Sequence, residues 1–466
     1  MQKKIINLKE LKIKAKINKI EKTSETLSGR GGLCLFSRYV FQTGIYHLLE
    51  RLFGYFRKSQ KGKSMWEIFK QVFCFLYDGT SRHLTYFDEL KSDEGYAGVI
   101  EENSKDLVSS HQVKRFFGLF SFVCGRIFRK VLKHLFIWRL KIENPEVIEL
   151  TLDTMVMDND EAEKRHGVEP TYKKKKGFQP LQMIWKGRLI DAIFRGGKKH
   201  GNYGGTVLNM VTDLVRLIRE KYSKSVPIVL RVDSGFFDGV NFSGFNKLDI
   251  GFVGSGKIYK SIKEYVKSSS QEQWNKYEND RDGWEYLEFG YRCERWENFY
   301  RTFYTRPFYE DNQLLFEFAR PDNVIITNIG INKKIFESLS DDRRRKFEGG
   351  DYIIRSFHQR GADELPHRGF KDFGFEQLPF KRFNANMAFY YCMVISFFLF
   401  ETFKQDVLSE VIPVVSYATT VRRKALDFAV KIVRTGRKII LKVTEPVLNN
   451  LKIFLLWEKC QNPPPI

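Results

Sequence analysis

The chain has 466 residues, enough for about two to four domains of ordinary size. Lysine and arginine total 78 against 56 acidic residues, a formal charge of +22 that is spread along the chain and not gathered in one tail. This balance argues for a polyanionic partner, either nucleic acid or an anionic membrane surface. Aromatic residues make up 15% of the chain, with 42 phenylalanines. Much of that Phe must be core, while Trp and Tyr among basic residues also suit bases that have left a stack. Cys34, Cys74, Cys124, Cys293, Cys392 and Cys460 show neither CxxC nor Cys/His spacing. Neither a zinc site nor a disulfide framework is indicated, and reduced cytosolic thiols are expected. The lysine-rich start has no apolar run before a cleavage site, so no signal peptide is expected.

The first 145 residues read as helical and basic. Apolar periodicity recurs in YVFQTGIYHLLERLFGYF and in MWEIFKQVFCFLYDG. Ser109 and Ser110 are candidate N-caps for a short helix carrying His111, Gln112, Lys114 and Arg115. Such a helix could lie in a DNA groove, with Lys114 and Arg115 as contacts, or be an ordinary amphipathic helix with a solvated polar face.

From about residue 146 the texture changes to short β-type runs, EVIELTLDTMVM, FQPLQMIWKG and LIDAIFRGG. An amphipathic helix, NMVTDLVRLIREKY, and a further strand, VPIVLRVDSGFF, follow. Strands alternating with a helix point to a mixed α/β layer fold. Asp153 stands inside the first strand and Asp233 ends the later one. A carboxylate in an apolar strand costs free energy unless it is paired or binds a metal. Residues from about 260 to 322 are rich in charge and aromatics, and the alternation in WEYLEFGYR and NFYRTFYTR predicts antiparallel hairpins within an insertion. The Lys173 to Lys176 run between predicted strands is a solvated loop or a contact to a DNA backbone.

After the strand NVIITNIG comes FHQRGADELPHRGFK. As one helix at about 100° per residue, it would set Phe357, Arg360, Glu364 and Lys371 within a narrow arc. A carboxylate between two cations suits a metal-dependent phosphodiester enzyme, and it equally suits a salt-bridged surface helix. Pro366 conflicts with a single continuous helix. A helix that begins near Glu364, with Pro366 in its first turn, would leave Arg360 on the preceding turn. The run FNANMAFYYCMVISFFLF, from 383 to 400, has no charge over about the minimum spanning length. Asn384 and Asn386 at its start, and the lack of a second such run, favour a buried core helix. The later segment VRRKALDFAVKIVRTGRKIILKV is basic and amphipathic, and the closing QNPPPI is expected to be disordered.

Three carboxylates on separate elements, Asp153, Asp233 and Glu364, could hold two divalent ions, with Mg2+ the best match to an all-oxygen site. Taken together, the blocks resemble the DDE transposases of bacterial insertion sequences, in the insertion-sequence-four superfamily. Its Tyr-x2-Arg-x3-Glu-x6-Lys signature falls on Phe357, Arg360, Glu364 and Lys371. LTLDT, GFQPLQ, LRVDSGF and VIITN are similar to the family blocks around it, and the likeness is closest to the branch numbered thirteen-eighty.

The resemblance implies an α/β ribonuclease-H-like catalytic core at 146–260 and 323–410, interrupted by a β-rich insertion at 261–322. A helical DNA-binding region at 1–145 and a basic helical C-terminal region at 411–466 would flank it. It implies Asp153, Asp233 and Glu364 as catalytic ligands of Mg2+ or Mn2+, with two ions. Arg360, Lys371 and the Phe357 position would lie at DNA phosphates, where Phe357 lacks the hydroxyl of the signature Tyr. Trp284 or Trp296, with Trp274 third, would receive a flipped base. The partners implied are double-stranded DNA, as element ends and target, and a second copy of the chain in the DNA complex. No membrane is implied, and the expected location is the bacterial cytoplasm, at the nucleoid. A metal-dependent nuclease without strand transfer and an inactive, DNA-binding descendant are the alternatives.

Overall fold

A computed structural model describes residues 17, 19–57, 61–162, 164–199, 201–278, 283–294, 296–307, 322–359, 364–436 and 438–466. In the N-terminal part, α1 (Leu33–Gln42), α2 (Ile45–Phe53) and α3 (Met65–Asp78) follow the apolar periodicity of the sequence. The helix α4 (Ser110–Gly118) starts where its cap predicts. Ser109 Oγ accepts from Gln112 N at 3.3 Å, and Gln112 Oε1 accepts from Ser109 N at 2.8 Å. This reciprocal pair satisfies two backbone donors that the helix cannot. The long α5 (Cys124–Glu143) then leads into the sheet.

A nine-stranded mixed sheet forms the centre. Its strands in chain order are β1 (Ile148–Thr154), β2 (Leu181–Trp185), β3 (Arg188–Ile193), β4 (Ile228–Val232), β5 (Gly251–Ser255), β6 (Asn275–Glu278), β7 (Gly283–Tyr291), β8 (Tyr300–Pro307) and β9 (Asn323–Thr327). In space they run β6-β7-β8-β9-β5-β4-β1-β2-β3. β1, β4 and β5 are parallel neighbours, and every other pairing is antiparallel. The helix α6 (Thr206–Lys221) returns the chain from β3 to β4. The two runs read as hairpin strands are β7 and β8, paired from Trp284↔Pro307 to Tyr291↔Tyr300, and they extend the same sheet through β9.

Beyond the sheet, α7 (Gly350–His358) packs on β5 and β9, over a second apolar cluster that includes Val253, Ile325 and Ile353. Next come α8 (Glu364–Phe373) and α9 (Phe383–Phe403). The helix α9 is apolar on every side, and among the described residues it is the one helix long and apolar enough to cross a membrane. It is buried along nearly its whole length, between α3, α5 and β3. Its polar groups have partners within the fold. Asn386 exchanges hydrogen bonds with the backbone of Phe380, at 2.7 and 2.8 Å. Gln182 Nε2 donates to Tyr390 Oη at 2.8 Å, and Tyr391 Oη donates to the Ala192 carbonyl at 2.9 Å. The core-helix expectation therefore describes this segment.

Two expectations at the C-terminal end need correction. The basic region is not wholly helical: β10 (Val430–Thr435) and β11 (Lys438–Val443) form a hairpin, and β10 also pairs with Leu27–Ser28. VKIVRT and KIILKV alternate with a period of two, and Gly436 between them has φ +57, which a glycine adopts without a Cβ clash. The final residues are ordered against the body, with Ile466 N donating to the Thr43 carbonyl at 2.8 Å.

The two ends of the fold meet at a buried charge cluster. Arg139, on α5, donates to Asp406 Oδ2 at 2.8 Å and to Glu143 at 3.3 Å, and Tyr39 Oη on α1 donates to the same Asp406 oxygen at 2.7 Å. Replacing Arg139 with Met takes the cation from Asp406, while Glu143 keeps Lys186 and Arg188. It should destabilise the protein by about 3–5 kcal/mol, measured as a lower urea midpoint at unchanged slope.

Candidate active site

β1 and β4 pair in parallel from Ile148↔Ile228 to Leu152↔Val232. One residue further on each strand stand Asp153 and Asp233, so the register alone sets the two aspartates side by side at the carboxyl edge of the sheet. Asp153 Oδ1 accepts from Thr154 N at 2.6 Å, and Asp233 Oδ1 accepts from Gly235 N at 2.8 Å, where the strand breaks into a short turn. Each carboxylate thus has one oxygen oriented by backbone. Asp153 keeps 28% of its side chain exposed. A pocket of about 380 Å3 opens at Asp233, between Thr154, Gln179, Lys198 and Gly201.

The helix α8 is brought to this edge. Within the described residues it runs over Glu364–Phe373, with Pro366 near its described start. The single-face arrangement of 357–371 is therefore corrected. Phe357 is in the last turn of the separate helix α7, half-buried beside His358, and only Glu364 and Lys371 share α8. Arg360 lies outside the described residues, as does the Glu364 side chain. His367, one turn after Glu364, places Nδ1 3.6 Å from Asp153 Oδ2 with only 12% of its side chain exposed. Burial, then the cations Lys371 and Lys173, push its pKa down to about 4, so the imidazole beside Asp153 is neutral at ordinary pH. Lys371 Nζ pairs with Glu376 Oε2 at 2.7 Å.

The remaining sequence candidates lie elsewhere. Lys114 and Arg115 are exposed on α4, capped as described. In the lysine run, Lys175 pairs with Asp158 and Asp160 at 3.4 and 3.3 Å, while Lys173 extends its charge towards His367. Trp284 is buried edge-on against His358, with ring centroids 4.4 Å apart. Trp296 is buried among Phe237, Phe242 and Tyr300. Neither ring faces solvent: alternation along β7 turns Trp284 inward, and Trp296 packs inward from the connection between β7 and β8. Trp274 is half-buried, under the Arg306 guanidinium at 3.6 Å.

Among the described residues no group of three His, Cys, Asp or Glu side chains forms a metal cage. The two aspartates supply hard carboxylate oxygens at one edge, a donor set that suits Mg2+ or Mn2+. A family model described as transposase DDE domain, group 1, matches residues 11–456. The chain belongs to the DDE transposases. It is also similar to a solved piggyBac transposase synaptic complex with hairpin DNA, at 12% identity over 94% of this chain and 84% of that one, with a TM-score of 0.42. No curated protein matches it.

Three polar residues that the sequence did not single out support the edge in this transposase. His367 is one. Asn159, fully buried, donates from Nδ2 to the Met157 and Glu376 carbonyls at 3.1 and 2.9 Å and accepts from Leu378 N at 2.9 Å, which ties the turn after α8 to the strand after Asp153. Arg195 donates to the Gln179 and Gly201 carbonyls at 3.2 and 3.1 Å, and burial lowers its pKa to about 10. The spacing His-x3-Lys after Glu364 is a local signal for the first; Asn159 and Arg195 find their partners only through the fold. Asn159→Leu should cost about 2–3 kcal/mol in stability, read by urea unfolding, because the Met157, Glu376 and Leu378 backbone groups lose their partner together.

Proposed function

We propose that this DDE transposase is a DNA-cutting and DNA-joining enzyme that binds the terminal inverted repeats of its own insertion sequence and joins the freed 3′-OH ends to target DNA. The observation that carries the reading is the parallel register that ends β1 and β4 on Asp153 and Asp233, with α8 starting at Glu364 and meeting the same edge through His367. A ribonuclease-H-like core is supported by the order β3-β2-β1-β4-β5, in which only β2 opposes the direction of the other four. Membership of the insertion-sequence-four superfamily, in the thirteen-eighty branch, is supported by Arg360, Glu364 and Lys371 at signature spacing.

Asp153, Asp233 and Glu364 would hold a pair of Mg2+ or Mn2+ ions. When bound, the ions activate the attacking water or 3′-hydroxyl and stabilise the leaving oxygen of a phosphodiester displacement. The backbone donors of Thr154 and Gly235 orient one oxygen of each aspartate. A neutral His367 packs against Asp153 without competing for its charge. Lys371 and Arg360 would grip phosphates beside the scissile bond, with Lys371 exchanging Glu376 for a phosphate oxygen. A hairpin intermediate requires one base to leave the stack. Of the three insertion tryptophans, Trp274 receives it at least structural cost, since Trp284 and Trp296 would have to leave the core. Two copies of the chain would pair the two ends, and the action would lie at the nucleoid.

Asp153→Asn, Asp233→Asn and Glu364→Gln should each abolish cleavage of a terminal-repeat duplex in Mg2+ while retaining binding of that duplex in a gel-shift assay. Undiminished cleavage by one of them removes that residue from the site, and cleavage without joining by the wild type leaves a nuclease. Motivated by the charge of +22, duplex affinity should fall by about three or more decades between low and moderate salt, as contact with six or more phosphates requires. A flat salt profile in fluorescence anisotropy would count against the polyanion assignment.

A further inference from the structure

A groove of about 570 Å3 runs between α5 and α6, and it is not part of the aspartate edge. Its walls carry Arg126, Lys130, Lys133 and Lys141 from α5 and Lys221 from α6. At about 100° per residue, positions 126, 130, 133, 134, 137 and 141 fall within one arc of about 100°, a single stripe along α5. At 1.5 Å per residue the stripe is about 22 Å long, the rise of about six base pairs of duplex. Ile137 and Leu217 lie between the cations as apolar lining.

The charge on this stripe is largely uncompensated. Asp213 is the carboxylate that lines the groove, and it is held by Arg216 at 3.0 Å and Lys133 at 3.8 Å. Arg129 is taken up by the buried Asp191, through bonds of 2.8 and 2.7 Å. Arg126, Lys130, Lys141 and Lys221 are exposed, and among the described residues none of them makes an ion pair. His134, on the same stripe, registers the field: burial first, then Arg51, Lys141 and Lys130, hold its imidazole below the ordinary range. A stripe of like charges kept together costs self-repulsion, which a bound polyanion relieves.

The groove also points the right way. Arg129 meets Asp191 near the end of β3, and Glu143 at the far end of α5 meets Arg188 at the start of that strand, so α5 runs against β3. β3 has the direction of β1, which puts the Arg126 end of the groove at the sheet edge that carries Asp153 and Asp233. α6 starts at that edge too, since it returns the chain to the beginning of β4.

We propose that the α5–α6 groove is a second docking surface, which holds the sugar-phosphate backbone of duplex DNA as it leads away from the aspartate edge. The proposal rests on the DNA-acting reading above and adds to it a binding surface distinct from the cleavage site. A concave channel lined by a straight row of cations follows a cylinder's backbone, whereas a flat anionic membrane would meet a convex face.

The test compares the full-length protein with a variant carrying Arg126→Gln, Lys130→Gln, Lys141→Gln and Lys221→Gln, and with a control carrying Gln at Lys91, Lys105, Lys333 and Lys346. The control positions are exposed lysines away from the groove, so the change in net charge is the same. Binding of a 40-base-pair duplex is followed by anisotropy over a salt series. The groove variant should lose about tenfold or more in affinity, and the slope of log K against log salt should shrink by about 3 to 4, while the control keeps the wild-type slope. Lysine acylation of the wild type with and without duplex adds a readout that needs no variant: Lys130, Lys141 and Lys221 should be protected and the control lysines should stay reactive. Steep, salt-dependent binding by the wild type with an unchanged groove variant and no protection would overturn the groove and leave the transposase reading standing. Failure of the wild type to bind duplex would overturn both. Preference for phosphatidylserine vesicles over duplex, with the exposed Phe122 and Val123 inserting, would overturn the groove as a DNA site.

Discussion

Two like charges at one sheet edge repel, and a fold that sets them together must hold them by something stronger than their mutual energy. In this chain the holding element is the parallel ladder between β1 and β4. Five residue pairs from Ile148↔Ile228 to Leu152↔Val232 are in register, with both strands buried through their apolar positions. A slip of one residue would turn Asp153 to the opposite face of the sheet and take Leu150 and Leu152 out of their packing, so the hydrophobic core fixes the position of the carboxylates. The parallel order makes the rest necessary. Parallel neighbours need a crossover, which is α6, and a crossover leaves the edge open for loops and for the helix that brings Glu364.

The same logic separates the two roles of buried charge in the molecule. Asp191 sits in an apolar strand much as Asp153 does, yet it is completely enclosed and bound on two oxygens by Arg129. Asp153 and Asp233 stand one residue past the parallel ladder, Asp153 still paired with Gln182 of β2 and Asp233 just after the end of β4, and Asp153 keeps 28% of its side chain exposed. Burial with a fixed arginine makes a structural ion pair; the ligand role proposed for Asp153 and Asp233 rests on their place at the sheet edge.

That contrast also explains what could be read before the fold was known. The strands, the capped helix at Ser109 and the core helix at Phe383–Phe403 follow from periodicity and capping, which are local. Asp153 and Asp233 stand out because a carboxylate in an apolar run is conspicuous in one dimension. Their juxtaposition was implied by the family likeness and is visible directly only in the register. Asn159 and Arg195 were invisible because their partners at Glu376, Leu378, Gln179 and Gly201 are set by tertiary folding, and an isolated Asn or Arg has no spacing to betray it. The hairpin at Val430–Val443 was readable and was obscured by its basic content: lysines and arginines on alternate positions look like the polar face of a helix until the glycine between the runs is given weight. Trp284 and Trp296 were named as acceptors of a flipped base by the family likeness, and both rings are buried in the fold.

The helix α9 has no side that tolerates water. It is enclosed by helices from the first third of the chain, by the strand β3 from the middle and, through Asp406 just beyond it, by Arg139 and Tyr39. Early and late parts of the gene therefore encode one indivisible core. A chain cut short before α9 would not leave behind a folded fragment. It would leave exposed α3 and α5 faces, fit for proteolysis, so the late part of the gene is needed for the early part to fold.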